Sequence, residues 1–312
     1  MILNIHKIIG GLHTLVKFYM GLMLVTSLLW GGNFVVAKTL VAHASPMTLT
    51  MARWFIAVIV LIPLVWWKEK KLVPAKAALV PLLFMGITGV ALFNIFQFLA
   101  LERTTSTNAG LISTMNTMSI ALFSFAFLKE KINGLQLLAM TLSFMGVVLV
   151  LSKGDLQQLL DFQLNTGDLW MVAAVCVWGL YSVCSKWAMK TTSPLMATLY
   201  AGVFGILTLV PFTSTEFTFS NINPSFILSL LYTGIISTVV CMVFWNIGVQ
   251  QLGATTSGIF LNFNPIFTAL LAFFFIGEKL SWLQGIGGLI VIIGCYLFTH
   301  FKTKMPQNQV CH

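Results

Sequence analysis

The sequence predicts an all-α polytopic membrane protein with ten transmembrane helices, arranged as two inverted-topology five-helix repeats. Composition, the spacing of charges and an internal repeat support this fold class. Hydrophobic residues make up 58% of the 312 residues and charged residues only 8%, whereas a soluble domain carries about 25% charged residues. With a mean hydropathy of +0.94, the chain cannot cover a water-facing surface. This excludes an ordinary soluble enzyme, a disordered chain and a secreted disulfide scaffold.

Charged residues divide the first half of the chain into apolar stretches, each long enough to cross a bilayer. A hydrocarbon core about 30 Å thick requires ~20 residues of helix. Ser45-Pro46 gives the second stretch an N-cap and a first-position Pro, and Asn133-Gly134 precedes the fifth. Arg53 interrupts the second stretch. The five predicted spans are residues 18–37, 47–67, 77–101, 104–128 and 132–152.

The second half contains five further predicted spans. Residues 217–277 carry no charge and are too long for one helix, so Gln250-Gln251-Leu252-Gly253 is expected to split them into two. Ser193-Pro194 and Ser281 supply start signals for the seventh and tenth spans. The remaining spans are residues 169–185, extending to Trp187, and residues 191–215 and 280–299.

The chain matches itself without a gap when it is shifted by 148 residues. A constant register over about 130 residues is a strong signal of duplication. Because each half holds an odd number of spans, the second half enters the membrane from the opposite side, an arrangement associated with alternating access. The matching pairs include Trp30/Trp178, Gly31/Gly179, Lys38/Lys186, Ser45/Ser193, Pro46/Pro194, Gly86/Gly234 and Glu130/Glu278.

These features divide the chain into five regions. They are a cytoplasmic N-terminal segment at 1–17, repeat 1 at 18–152, an extracytoplasmic linker at 153–167, repeat 2 at 168–300 and a cytoplasmic tail at 301–312. Within the linker, Leu156, Leu159 and Leu160 recur at helical spacing. The linker is therefore compatible with a short helix on the membrane interface and equally with an unstructured loop.

Lysine and arginine predict the orientation, because cytoplasmic loops carry an excess of both. With the N-terminus inside, twelve Lys residues fall in inside segments and five basic residues, among them Lys38, in outside segments. The sequence therefore predicts that both termini are cytoplasmic. This topology also explains the net charge of +9, and no nucleic-acid partner is predicted.

Sequence signals for other classes of protein are weak. The five cysteines contain no C-x-x-C pair, so neither a disulfide framework nor a zinc site follows. Ala42-His43-Ala44 resembles a signal-peptide cleavage site, but the 20-residue apolar run before it is too long for a secretory signal. With no Gly-rich phosphate loop or catalytic triad, the sequence predicts no catalytic residue, metal site or cofactor.

Motifs repeated in both halves resemble the EamA branch of the drug/metabolite transporter superfamily, with two EamA repeats over roughly residues 20–300. The resemblance implies a ten-helix bundle in a bacterial cytoplasmic membrane. It also implies a central cavity lined mainly by the first, third and fourth helices of each half, and export of amino acids or related metabolites. The motifs are Trp30-Gly31, Trp178-Gly179, Lys38, Lys186, Leu-Lys-Glu-Lys at 128–131 and Gly-Glu-Lys at 277–279.

The chain departs from the pattern of the family at two places. The family often has Pro in the middle of both the fourth and ninth helices. Here the ninth has Pro265, but the matching position of the fourth is Thr117. Arg53 has Ala201 as its partner. The two halves are therefore not expected to be functionally equal.

Polar residues inside the apolar spans are the candidates for a substrate cavity. Arg53 is a functional candidate because it lies inside a predicted span. Alternatively, its side chain snorkels to the outer headgroups. Asn116 and Asn264, repeat partners near the midplane, could hold a substrate or bridge helices. Small residues at four-residue spacing, ending in Asn262, predict a packing stripe on the opposite face, and Asn262 is itself included among the candidates.

Aromatic and amide residues complete the set of candidates. Trp30, Trp178, Asn33 and Tyr181 could form cavity walls, or pack in the core. Residues in the outer half of the third span and at the inner end of the eighth span suit gates, although hydrogen bonds between helices explain them equally well. The predicted gates are Asn94, Gln97, Trp245 and Asn246.

The sequence thus predicts a secondary transporter that exports a small polar or amphipathic metabolite through a midplane cavity, with the bilayer and the substrate as partners and a single chain sufficient. An uptake or exchange carrier for sugar-linked or phosphorylated metabolites is a second reading. A membrane-embedded enzyme is disfavoured because the spans hold no catalytic constellation. Carboxylates such as Glu102 and Glu130 lie at span ends, which weakens the case for proton coupling.

Overall fold

The computed structural model describes residues 2–104, 106–151, 165–213, 217–276 and 281–302. Over these residues the chain is helical and contains no strand. The predicted interfacial helix of the linker falls on residues 153–164, outside the described residues. The all-α class is therefore confirmed for the described chain.

Each predicted span of the first half is helical, and several are built from more than one helix. A 3₁₀ turn (Lys76–Ala78) opens the third span, and a stretch of π-helix (Gly86–Leu92), named here the first π segment, lies in its middle. The α-helices are α1 (Ile2–Gly31), α2 (Asn33–Leu40), α3 (Pro46–Glu69), α4 (Leu79–Met85), α5 (Phe93–Arg103), α6 (Ser106–Ser113), α7 (Asn116–Leu128) and α8 (Gly134–Leu151).

The second half repeats this plan. Its eighth span contains the second π segment (Tyr232–Val240), in the same repeat register as the first, and its ninth contains a 3₁₀ stretch (Phe260–Phe263). The α-helices are α9 (Thr166–Ala188), α10 (Pro194–Thr213), α11 (Pro224–Leu231), α12 (Cys241–Leu252), α13 (Ala254–Ile259), α14 (Asn264–Ile276) and α15 (Trp282–Lys302).

Seven helical stretches of the described chain are long and apolar enough to cross a membrane. The fourth and fifth predicted spans fold into shorter apolar helices, so the count of ten stays a prediction. Large apolar side chains such as Phe55, Leu122 and Phe274 are more than half exposed, as expected of a surface that lipid covers. The seven stretches are Leu15–Leu40, Pro46–Glu69, Lys76–Arg103, Thr166–Ala188, Pro194–Phe212, Pro224–Leu252 and Trp282–Phe301.

The predicted helix starts are confirmed by their capping hydrogen bonds. Ser45 Oγ accepts from the Thr48 backbone N–H at 3.3 Å, and Ser193 Oγ accepts from the backbone N–H of Met196 at 3.1 Å. Asn133 Oδ1 accepts from the backbone N–H of Gln136, in the first turn of α8, at 2.7 Å. These bonds satisfy donors that a helix leaves unpaired at its N-terminus.

The fourth and ninth spans break where continuous helices were expected. In the ninth span, Pro265 has no backbone N–H, and its ring would clash with the carbonyl four residues earlier. The chain therefore runs as 3₁₀-helix before α14. In the fourth span, Thr117 occupies the equivalent place, and its hydroxyl lies within hydrogen-bond distance of two acceptors in the ninth span, Gly258 O at 2.9 Å and Asn262 Oδ1 at 2.8 Å. One break thus follows from Pro265, and Thr117 at the other contacts the ninth span.

The fifth and tenth spans, α8 and α15, pack with their backbones in contact. A Cβ placed on Gly146 would lie 2.7 Å from Gly287 O, and a Cβ on Gly287 would lie 2.8 Å from Gly146 O. Because no larger residue fits at either position, these glycines permit the close approach. Small residues serve the same purpose at many helix interfaces in membranes.

Two lysines that are repeat partners bind helix ends rather than water. Lys38 Nζ donates to the carbonyls of Leu101 and Thr104 at the end of α5. Lys186 Nζ donates to Val249 O at 3.1 Å and Gln250 O at 3.0 Å at the end of α12. A cation at a helix C-terminus satisfies unpaired carbonyls and opposes the negative end of the helix dipole.

Candidate functional site

A cavity lies between the two halves of the chain, and its empty volume is about 500 Å³ when the open solvent at its mouth is included. The first half contributes residues of α1, α2, α3, the first π segment, α5 and α7, and the second contributes residues of α9, α12, α14 and the 3₁₀ stretch. The lining residues are Trp30, Asn33, Arg53, Trp54, Gly89, Phe93, Asn94, Gln97, Asn116, Trp178, Met242, Leu261 and Asn264.

Arg53 is buried about two turns into α3, with 5% of its surface exposed. Its guanidinium donates from Nε to Thr238 Oγ1 at 2.5 Å, from Nη1 to Asn94 Oδ1 at 2.9 Å and from Nη2 to Ser237 Oγ at 3.1 Å. All three acceptors are neutral. Because a guanidinium has five N–H donors, one N–H on each terminal nitrogen remains for another acceptor. The snorkelling alternative does not describe this buried side chain.

Asn94 holds Arg53 on the side of the first half. Its Nδ2 donates to Gly89 O at 3.0 Å and Val90 O at 2.9 Å, both in the first π segment. A π-helix widens the backbone hydrogen-bond pattern, and here the Asn94 amide binds two of its carbonyls. The amide oxygen consequently faces the guanidinium.

The second π segment holds Arg53 on the side of the second half and also contacts α1. Thr238 Oγ1, which accepts from Arg53, donates to Thr233 O at 2.6 Å. Trp30 Nε1 donates to Ser237 O at 3.0 Å, and Tyr232 donates its hydroxyl to Leu29 O at 2.6 Å. One stretch of the eighth span therefore carries most of the polar contacts around Arg53.

Aromatic rings form one wall of the cavity. Trp30 and Trp178, which are repeat partners, meet edge to face with ring centroids 5.5 Å apart. Phe93 lies 4.7 Å from the Trp178 ring, and Trp245 packs behind both tryptophans at 5.8 and 5.4 Å. The wall is aromatic and largely apolar, as is typical of small-molecule sites.

Four amides complete the cavity, and each has a buried oxygen without a hydrogen-bond partner among the described residues. They are Asn33, Gln97, Asn116 and Asn264. The indole N–H groups of Trp54 and Trp178 are unpartnered as well. Buried polar atoms in proteins are normally satisfied, so these groups are open to hydrogen bonds from water or from a bound molecule.

The structure brings most of the predicted site residues together. Six cavity candidates line the cavity, and so do two residues predicted as gates. Four predicted residues do not line it. The function of all the predicted site residues stays a prediction. Those on the cavity are Trp30, Asn33, Arg53, Asn116, Trp178, Asn264, Asn94 and Gln97.

The four others are Tyr181, Asn246, Asn262 and Trp245. Tyr181 donates to Asn246 Oδ1 at 3.0 Å, and the Asn246 amide donates to Thr198 at 2.9 Å, so both belong to a polar network within the second half. Asn262 accepts from the fourth span and donates to the fifth. Trp245 lies behind the aromatic wall. Each of these polar groups except the Trp245 indole is occupied by neighbouring helices.

Sequence reasoning did not single out five lining residues: Trp54, Gly89, Phe93, Met242 and Leu261. Met242 could have been found, because it is the repeat partner of Asn94. The others are apolar or glycine, and nothing in their type separates them from lipid-facing or packing residues.

The described residues contain no group of three or more His, Cys, Asp or Glu side chains placed to hold a metal ion. Of the described lining residues, Arg53 alone carries a charge, and none is a carboxylate, His or Cys. The described lining presents one cation, several amides and aromatic faces.

Relatives of the chain carry transporter names. An uncharacterized transporter of Archaeoglobus fulgidus is 33% identical over 284 residues, 89% of this chain and 96% of that protein. The uncharacterized transporter YyaM of Bacillus subtilis is 28% identical, over 86% of this chain and 89% of that protein. A protein of Chlamydia trachomatis named S-adenosylmethionine/S-adenosylhomocysteine transporter is 24% identical, over 89% of this chain and 88% of that protein.

A solved crystal structure matches with a TM-score of 0.74 at 19% identity, over 93% of this chain and 98% of that chain, which shows a shared fold. The profile of the EamA-like transporter family matches the chain twice, at residues 17–152 and 165–300. The two matches cover both halves, as the resemblance implied. The chain is a multi-pass helical membrane protein that belongs to the EamA-like transporter family.

Proposed function

We propose that the chain is a secondary transporter that exports amino acids or related small metabolites by alternating access. Ten transmembrane helices form two inverted five-helix repeats, with both termini in the cytoplasm of a bacterial cell and the substrate cavity between the halves. Repeat symmetry in the backbone supports this arrangement. Both π segments, and the starts of α7 and α14 at Asn116 and Asn264, stand in one register.

Hydrogen bonds at the span ends also support the topology. The proposed topology assigns each turn and span end to one side of the membrane. Four hydrogen bonds each join two groups that it assigns to the same side. On the outer side the bonds are Ser220 N to His43 O at 2.8 Å and Thr104 Oγ1 to Asp168 Oδ1 at 2.7 Å, and on the inner side Tyr200 OH to Leu72 O at 2.7 Å and Thr255 Oγ1 to Glu130 Oε2 at 2.6 Å.

The observation that carries the proposed substrate class is the cluster of unpartnered amide oxygens beside a buried guanidinium. The two free N–H groups of Arg53 suit a carboxylate, which accepts such a fork in a charge-assisted pair. Amide oxygens, including those of Asn116 and Asn264, suit a primary ammonium as its acceptors. The Trp30–Trp178 wall suits an apolar or aromatic substituent. An α-amino acid, or a metabolite that carries this group, presents all three features.

Carriers of phosphorylated metabolites are less compatible with the cavity. A phosphate monoester brings up to two negative charges, and Arg53 is the one positive charge among the described lining residues. An enzyme within the membrane is disfavoured as well, because the described lining residues include no general base or nucleophile.

Counterflow in proteoliposomes tests the proposal. Vesicles loaded with unlabelled L-leucine, L-methionine, L-tryptophan or S-adenosylmethionine receive the same labelled compound outside, with and without an imposed pH gradient. We expect saturable accumulation of at least one compound, with no signal in vesicles that lack the protein. If none of these compounds accumulates while sugar phosphates do, amino-acid transport is wrong and the exchange carrier for phosphorylated metabolites takes its place.

A further inference from the structure

The contact between α3 and the second π segment has a counterpart elsewhere in the molecule. By the repeat register, α10 packs against the first π segment in the same way as α3 packs against the second. The residues at the two contacts differ together at three places. Arg53 corresponds to Ala201, Ser237 to Gly89 and Thr238 to Val90, so one contact is polar at all three places and the other is apolar at all three.

The polar contact joins the two halves of the transporter. Arg53 lies in the first half, whereas Ser237 and Thr238 lie in the second, and two of the three guanidinium hydrogen bonds cross between the halves. Both hydroxyl residues are fully buried. If the halves separated here in the empty protein, a buried cation would lose two of its three acceptors, which is a costly change in a fold.

A bound carboxylate would change this cost. The free N–H groups of Arg53 belong to a side chain that lines the cavity, so a substrate carboxylate can accept them from within the cavity. Charge-assisted hydrogen bonds are roughly twice as strong as neutral ones, so the carboxylate would compensate the cation better than two hydroxyls do. The bonds to Ser237 and Thr238 are then less costly to break.

We propose that Arg53, Ser237 and Thr238 form a lock between the two halves that a carboxylate-bearing substrate releases. The lock rests on the proposed function, because it requires a substrate that binds Arg53. A ligand shifts a conformational equilibrium only by its different interaction with the two states, and here the difference lies in the counter-charge of Arg53. The loaded protein therefore changes conformation faster than the empty protein, and exchange of substrate across the membrane outpaces net efflux.

The test compares two rates in the same proteoliposomes. Vesicles are loaded with labelled L-leucine, L-methionine or L-tryptophan, and efflux is measured into buffer that contains the unlabelled compound and into buffer without it. The double variant Ser237→Ala/Thr238→Val removes the lock and leaves every lining residue in place. The matched control is Thr233→Val, which lies in the same π segment and whose hydroxyl donates to Leu230 O, earlier in the same span, at 3.0 Å.

We expect exchange to exceed net efflux by roughly 10-fold or more in the native protein, a modest ratio for two hydrogen bonds to a charged group. In the double variant, net efflux rises towards the exchange rate, while exchange stays within about twofold. The control keeps the native ratio. Equal rates of exchange and net efflux in the native protein overturn the lock, and this measurement needs no variant to fold. An unchanged ratio in a folded double variant also overturns it.

A second measurement separates failure of the lock from failure of the proposed substrate class. If no amino acid is exchanged, hydrogen exchange of the empty protein in nanodiscs reports on the contact itself. The amides of residues 232–240 should then exchange at least about 10-fold faster in the double variant than in Thr233→Val, because local opening governs exchange. Equal protection in the two proteins overturns the lock regardless of the substrate.

Discussion

The two π segments share a backbone conformation and a repeat register, yet they contact the opposite half in different ways. At the first, the approach is close and apolar. A Cβ on Gly89 would lie 2.1 Å from Tyr181 Cδ2, and a Cβ on Gly86 would lie 2.7 Å from Gly205 N. At the second, Ser237 replaces Gly89, and hydrogen bonds to Arg53 and Trp30 join the halves. Duplication thus preserved the geometry of the contact while its chemistry diverged.

This difference matters for movement. Apolar contacts resist displacement only through shape, whereas buried hydrogen bonds to a cation must be replaced when they break. The contact at the first π segment can therefore slide without leaving a polar group unsatisfied, and the contact at the second cannot. Four predictions, in order of decreasing effect, test this contrast and the symmetry around it.

The largest effect is expected for Arg53→Ala. This variant places an alanine at the polar contact, as Ala201 stands at the matching position of the apolar contact. Exchange of the transported compound should fall by at least about 20-fold, because the variant loses the proposed counter-charge of a substrate carboxylate and the hydrogen bonds of the guanidinium. Counterflow at matched membrane abundance measures this. Arg103→Ala, at an exposed residue at the end of α5, is the control. Half of the native exchange or more in Arg53→Ala would remove Arg53 from the site.

The next effect concerns Asn116 and Asn264, the part of the cavity where the halves remain alike. Asn116→Ala and Asn264→Ala should each raise the KM of exchange by about 5- to 20-fold, since each would remove one hydrogen bond to the ammonium of the proposed substrate. Concentration series in the counterflow assay give the KM. Gln251→Ala changes an exposed amide and should leave the KM unchanged. A native KM in both Asn variants would show that these amides serve helix packing.

A smaller effect is expected from crowding the apolar contact. Gly89→Ala places a methyl group against the Tyr181 ring and should lower the free energy of unfolding by about 1–3 kcal/mol. The melting temperature in detergent, followed by intrinsic fluorescence, should fall by several degrees. Gly21→Ala is a matched control, because nothing lies within 4 Å of a Cβ at Gly21. Equal melting temperatures would show that the first contact is looser than described.

The smallest effect is expected at the capped end of α12. Lys186→Met removes the donor to Val249 O and Gln250 O, and a cation at a helix C-terminus contributes about 1 kcal/mol. The melting temperature should fall by about 2–4 °C. Lys190→Met changes an exposed lysine and should have no effect. If both variants melt alike, the cap contributes no stability.

Helix starts and the repeat were predictable from the sequence because they depend on local chemistry. Ser45, Ser193 and Asn133 cap helices as expected. The π segments and the break before Asn116 were not predicted, because they depend on contacts with other helices. Thr117, for example, donates to the ninth span, and no property of its own span specifies this contact.

Polar cavity residues were predictable, and apolar ones were not. Arg53, Asn116 and Asn264 stand out because a polar side chain inside an apolar span is costly and commonly marks a functional site. Trp54, Phe93 and Leu261 carry no such signal. A helix in a bilayer is apolar on its lipid face and on its packed face alike, so the periodicity that identifies the buried face of a soluble helix is lost.

The lysines that cap α5 and α12 bear on how the chain is inserted during synthesis. Lys38 and Lys186 occupy one register position in halves that are proposed to be inverted, so one ammonium lies near each face of the bilayer. A lysine that acted only as a topogenic signal would be useful at one face and harmful at the other. Since both cap helix ends, neither reports orientation. Without them, the twelve cations predicted to lie inside become eleven and the five predicted to lie outside become four. The predicted charge bias is therefore stronger than the raw count of cations.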